Sequence, residues 1–184
     1  FDAVVLNSGN GMHQITENDT KAFIEYEAGN GSILLEGADI AFQYGDNEFM
    51  REVAHAVLLH DMSLASSSWN KEAYLINHKN FPVTYGLREK IGFNIELSSY
   101  PDSLLAVNNG AGIVSWEDNK TAVVVSEDGA RTLFIPFSVM AISQDDRIML
   151  LNNSLAWLTD NIEGDLNAEI LLPGYFVEGG NWLT

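Results

Sequence analysis

The sequence predicts an α/β fold with a mainly parallel sheet and an antiparallel extension, and three observations carry that expectation. Strand-like and helix-like patterns alternate through the first forty residues. The apolar run Ser32-Ile33-Leu34-Leu35 ends in Glu36-Gly37-Ala38-Asp39-Ile40-Ala41, a small-x-Asp-x-small turn of the kind that bends a buried strand sharply into a helix. The second half holds three apolar runs joined by short turn-like connections, the pattern of hairpins.

Taken in order, Phe1 to Leu6 reads as a buried strand, followed by the polar small-residue loop Asn7-Ser8-Gly9-Asn10-Gly11. That loop could present backbone N–H groups to an anion, although it lacks the spacing of a phosphate loop or a dinucleotide fingerprint. Thr16 to Ala28 is expected to be helical: Thr16 or Asp19 caps it, Ala22, Phe23 and Tyr26 form its apolar face, and Gly29-Asn30-Gly31 stops it. The strand from Ser32 to Glu36 follows at once, which implies a right-handed crossover and parallel pairing.

After the turn at Asp39, the residues Phe49, Met50, Val53, Ala54, Val57 and Leu58 fall at helical spacing and predict one amphipathic helix ending near His60. Met62 to Ala65 is a short strand candidate. Ala73 to Asn77 and Phe93 to Leu97 are further candidates, separated by the proline-led turn segment Phe81 to Leu87. Ala111 to Trp116, Thr121 to Ser126 and Arg131 to Phe137 supply the hairpin strands. Ser143 with Asp146 resembles a capping box, and Ile148, Leu151, Leu155, Leu158 and Ile162 form the expected core stripe of a closing helix. The division is therefore one domain over residues 1–163 and a strand or linker extension over 164–184, with a strand expected from Ala168 to Leu172.

The 184 residues, 46% hydrophobic and 10% aromatic, suit a single core and exclude disorder as the main state. Nine basic residues against 26 acidic ones give a net charge of -17, which argues against nucleic acid and anionic membranes as partners. No apolar run approaches the ~20 residues of a bilayer span. The start at Phe1 reads as a cut from something longer. Without cysteine there is no disulfide, thiolate metal site or cysteine nucleophile. Sequons at Asn18, Asn30, Asn119 and Asn152 are compatible with an extracellular or cell-surface setting, a cytoplasmic one staying open.

The succession of Asn7-Ser8-Gly9-Asn10 after a strand, Leu34-Leu35-Glu36-Gly37-Ala38-Asp39-Ile40-Ala41, Phe81-Pro82-Val83-Thr84-Tyr85-Gly86-Leu87, Gly129-Ala130-Arg131-Thr132-Leu133-Phe134-Ile135-Pro136-Phe137 and the helix ending Leu155-Ala156-Trp157-Leu158 resembles the class I glutamine amidotransferase-like superfamily. More narrowly, it is similar to the divergent branch found in trehalose-utilisation-type proteins and inside large secreted proteins. The resemblance implies a three-layer flavodoxin-like sandwich over about residues 1–162, with the first βαβ unit lying upstream of Phe1. It also implies an oxyanion hole partly from Ser8-Gly9-Asn10, a nucleophile position at Asp39, and an acid–base segment at Phe134 to Ser138, where the family's catalytic members carry His and Glu. Here the Cys and the His/Glu pair are absent, so no activated nucleophile for glutamine hydrolysis remains.

Three functions follow as expectations. The first is a non-catalytic domain binding a ligand or partner through Ser8, Gly9, Asn10, Gly37, Ala38 and Asp39, or supporting neighbouring domains of a longer chain; Asp39 then caps the helix that follows. The second is a hydrolase with Asp39 as carboxylate nucleophile or base, assisted by His13 or, less directly, His78. The third is a cation- or sugar-binding module using Glu36, Asp39, Asp46 and Glu48 with Trp69 or Tyr85, although Asp46 also reads as a helix cap and no calcium-loop spacing is present. His55 and His60 are expected to be ordinary helix residues. No cofactor and no metal site is expected, and the oligomeric state is left open.

Overall fold

The computed structural model describes residues 3–9, 15–62, 73–78, 81–98 and 100–160. The first crossover forms as its caps dictate. Strand β1 (Ala3–Gly9) leads to helix α1 (Glu17–Ala28), whose N-cap Thr16 accepts from the Asp19 backbone N–H while the Asp19 carboxylate takes the Thr16 backbone N–H at 2.8 Å. Asn30, at φ 64, turns the chain out of the helix. Strand β2 (Ser32–Gly37) then pairs in parallel with β1, Ala3 opposite Ser32 and Leu6 opposite Leu35.

Beyond β2 come two one-turn helices, α2 (Ile40–Tyr44) and α3 (Glu48–Glu52), and then strand β3 (Ala56–Asp61). The single helix expected to run to His60 is thus corrected. Phe49, Met50, Val53 and Ala54 are buried, but the chain turns at His55, φ 48, and continues as strand. Helical spacing persisted across the break because β3 also buries Val57 and packs Leu58, half-buried, against the core. Asn47 caps α3 through its side chain. Asp46, expected to cap, pairs with Arg51 instead.

The remaining strands are β4 (Ala73–Asn77), β5 (Lys90–Phe93), β6 (Asp102–Ala106), β7 (Ala111–Trp116), β8 (Thr121–Ser126) and β9 (Thr132–Ile135). The candidate strand from Phe93 to Leu97 is corrected: β5 ends at Phe93, and Ile95–Leu97 is a 3₁₀ turn led by the Asn94 side chain. Strand β6 has no counterpart among the expected elements. The nine described strands form one sheet, in the order β1-β2-β9-β8-β7-β4-β5, with β3 and β6 off that path as an antiparallel ribbon that meets β8 at Leu104 opposite Thr121. β2 lies between β1 and β9, parallel to both; from β9 outward the pairs are antiparallel.

Successive residues of β2 serve opposite faces, as strand geometry requires. Ile33 and Leu35 enter a cluster with Ile40, Phe49, Met50, Val53, Leu104 and Phe134, against which α1 lays Phe23 and Ile24. Leu34 enters a second cluster on the other face with Leu133, Ile135, Trp116, Phe137 and the helix α4 (Gln144–Leu158). The result is a three-layer, flavodoxin-like α/β sandwich. Ser143 caps α4 as expected, but the buried face of that helix is Asp146, Leu150, Ser154, Trp157 and Leu158; Ile148 is 49% exposed. Of the expected stripe, Leu158 is buried and Leu151 packs half-buried against the same cluster, whereas polar Asp146 and Ser154 take core positions in place of Ile148 and Leu155; Ile162 lies outside the described residues. The Ala168 to Leu172 strand and the division at 163/164 fall outside the described residues, as do Asn10, His13 and Trp69.

Candidate functional site

The turn from β2 into α2 is the sharp bend expected of it. Gly37 closes β2 at φ 155, and a Cβ there would stand 2.6 Å from the Ser8 Cβ, so glycine lets the end of β1 lie directly against the bend. The Ala38 N–H donates to Gly9 O at 2.9 Å and the Asp39 N–H to Tyr100 O at 2.9 Å. Asp39 itself sits at φ 70, ψ -1, in the left-handed region that non-glycine residues seldom adopt. The structure therefore brings Ser8, Gly9, Gly37, Ala38 and Asp39 together; Asn10 lies outside the described residues.

The Asp39 side chain does not cap α2, contrary to expectation. Its φ is left-handed where a capping residue is extended, so the carboxylate is carried away from the N–H groups it would bind. It accepts from the Gln43 side chain at 3.2 Å instead. The N–H of Phe42 donates to Asp102 at 3.2 Å.

Two buried carboxyl groups flank this bend. Glu36, 2% exposed, accepts the Val139 N–H at 2.7 Å through Oε1, and the Gly9 N–H also favours its charged form; among the described residues Oε2 has no hydrogen-bond partner. Burial raises it to about 7 against the pull of those N–H groups. Asp102 is fully buried at the start of β6, opposite Asp61 across the ribbon. Burial pushes it up to about 8; the Phe42 and Ala41 N–H groups oppose the rise, and the charges of Asp39 and Asp61 add to it. Among the described residues Oδ1 of Asp102 has no hydrogen-bond partner. Near neutral pH both groups hold a proton for much of the time, which spares the interior an unpaired charge.

The segment after β9, where the resemblance places an acid–base pair, reaches the bend but carries neither group. Its polar atoms are used to join loops: Pro136 O accepts from Asp102 N at 3.1 Å, Ser138 N donates to Ser98 Oγ at 3.0 Å, and Val139 N donates to Glu36. Among the described residues no hydrogen bond links Asp39 to an imidazole. His55 is buried, with Nδ1 2.7 Å from Asn108 O and Nε2 3.9 Å from Glu27; His60 lies on β3, and His78 is exposed. The acids of the third expectation do not converge: Glu36 is held under the loops, Asp46 pairs with Arg51, and Glu48 is exposed in the first turn of α3. Tyr85 is 83% exposed. Among the described residues no three His, Cys, Asp or Glu side chains are grouped to hold a metal ion.

Asp102 and the role of Glu36 as an anchor were missed in the sequence. The only signals were an acid inside a wholly buried strand, for Glu36, and an acid at the head of Leu104-Leu105-Ala106, for Asp102.

No protein-family model and no curated protein sequence matches the chain. Solved structures do. A GMP synthase subunit protein from Thermoplasma acidophilum superimposes with a TM-score of 0.55 at 14% identity, over 87% of this chain and 74% of that one. The mmIFT52 N-terminal domain gives 0.59 at 13% identity, over 91% and 80%. A glutamine amidotransferase from Thermotoga maritima gives 0.50 at 10% identity, over 89% and 70%. At these identities the likeness is one of fold: the chain has a glutamine amidotransferase-like α/β fold.

Proposed function

We propose that this is a non-catalytic amidotransferase-like domain of a larger, extracytoplasmic protein, serving to bind a ligand or partner or to support neighbouring domains. The observation that carries the reading is the use made of polar groups around the bend. Asp39 stands where a sulfur nucleophile would, its carboxylate engaged by Gln43. The segment after β9 spends its N–H groups on Glu36 and Ser98, and Gly9 O, at the end of β1, takes the Ala38 N–H. A site built to turn over substrate directs such groups outward, toward the reacting atoms; here they fasten three loops to one another. The dispersed acidic surface and the sequons at Asn18, Asn30, Asn119 and Asn152 support the extracytoplasmic placement.

The test is ammonia release from glutamine and hydrolysis of an activated ester, by the chain and by Asp39→Asn. The expected rates equal the buffer rate for both proteins, with melting curves that superimpose. A rate above buffer that disappears in Asp39→Asn would instead support a carboxylate hydrolase. One observation favours that second reading: Asp102, buried and pushed up to about 8, lies within electrostatic reach of Asp39, and a carboxyl that keeps its proton near neutral pH can act as a general acid.

A further inference from the structure

Among the described residues the sheet ends at β1. That strand pairs with β2 alone, so among the described residues its outer side has no strand partner. Val5 is 48% exposed there, while every residue of β2 is buried. Ala3 and Leu6 are half-buried on the two opposite clusters, and α1, which crosses from β1 to β2, has no fully buried residue. An open edge with apolar side chains on both faces is a surface for another strand.

The connectivity indicates which strand. α1 lies on the face of Ile33 and Leu35, whereas α4 lies on the face of Leu34, Leu133 and Ile135. Crossovers between parallel strands are right-handed in about 98% of cases, so a helix on the opposite face steps the chain across the sheet in the opposite direction. α1 takes the chain from β1 toward β2; a crossover through α4 takes it from β9 back toward β1. With β2 and β1 in place, the first open position is the outer edge of β1. α4 also ends at the correct end of the sheet, because Trp157 O accepts from Arg131, the residue before β9 begins. Residues 159–167 then span up to about 30 Å, at ~3.3 Å per residue, before the apolar run Ala168-Glu169-Ile170-Leu171-Leu172 and its Pro173-Gly174 stop.

We propose that residues 168–172 of this chain pair in parallel with the outer edge of β1 and cover Val5. The chain has no cysteine, so two variants, Val5→Cys/Ile170→Cys and Val5→Cys/Leu171→Cys, test the contact on either face of the added strand. Oxidation at low micromolar concentration is expected to give, in one of the two, a monomer whose digest links residue 5 to the 168–172 peptide. Failure of both to crosslink, or crosslinks only between molecules, overturns the proposal; the latter assigns the edge to a second copy. A second measurement does not depend on disulfide geometry. In Ile170→Pro, which removes a donor from the pairing, alternate β1 amides are expected to exchange at least tenfold faster than in the unaltered chain, and unchanged exchange counts against the proposal.

Discussion

At the scale of single residues, Glu36 and Asp102 govern how the bend responds to pH. An acid whose folded pKa lies above its unfolded value binds its proton more tightly in the native state, so stability falls as pH rises between the two values. For Glu36 that interval runs from 4.5 to about 7 and for Asp102 from 3.8 to about 8. Salt-bridged or capped acids such as Asp19, Asp46 and Asp146, held below their usual range, act in the opposite sense and lose stability only in stronger acid. The melting temperature is therefore expected to peak near pH 5 and to decline toward pH 8, with Glu36 accounting for roughly 3 kcal/mol of the fall at ~1.4 kcal/mol per unit. Thermal melts across this range on Glu36→Gln, which keeps an acceptor for the Val139 N–H, should show a shallower decline; a slope equal to that of the unaltered protein would remove Glu36 from the account. Gly37 tests the close approach at the same bend. Gly37→Ala forces a side chain into a φ of 155 and against the Ser8 Cβ at 2.6 Å, and should cost about 3 kcal/mol in urea denaturation. Shortening the obstacle in Ser8→Gly/Gly37→Ala should return part of that loss but not all, because the backbone strain stays.

At the scale of elements, what the sequence disclosed was what is written locally. α1 and α4 declare themselves by their caps. Ser143 both accepts the Asp146 N–H and donates to its carboxylate at 2.7 Å, and Arg88 grips the same pair from across the fold. Ser143→Ala should accordingly cost about 1 kcal/mol, measured by chemical denaturation; no change would mean that Arg88 alone sets the start of α4. The hairpins β7-β8 and β8-β9 were legible for the same reason, through short turns such as the one at Asn119, φ 65. β3 was not legible because its identity depends on a partner: Ala56 to Asp61 become strand only by pairing with Ala106 to Asp102, some forty residues later at the nearer end of each run. That partner was itself obscured by the buried acid at its head. The candidate site divides in the same way. The bend at Gly37 to Asp39 could be read from small residues in sequence, whereas Asp102 joins it through a hydrogen bond to Phe42, 60 residues away, and no local pattern announces such a contact.

At the scale of the whole molecule, the sheet is a shared wall between two interiors. Leu34 and Leu35 are neighbours in sequence, 2% and 1% exposed, yet they belong to opposite clusters. A wall one strand thick cannot lose its packing on one side and keep its register on the other, because a slip of one residue exchanges the faces of every side chain. The two clusters are therefore expected to melt as one cooperative unit. Trp116 and Trp157 lie on the α4 face, Trp116 edge-on to Phe93 and Phe137 and Trp157 edge-on to Phe81, and they report on that side alone once Trp69 and Trp182 are replaced by Phe. Leu34→Ala removes a side chain from their own cluster; Leu35→Ala removes one from the cluster behind the sheet. Each should cost about 2–5 kcal/mol. In both variants tryptophan fluorescence and far-ultraviolet circular dichroism should give one common midpoint, shifted by similar amounts. If Leu35→Ala lowers the circular dichroism midpoint while the fluorescence midpoint stays in place, the faces unfold separately and the wall is not what couples them.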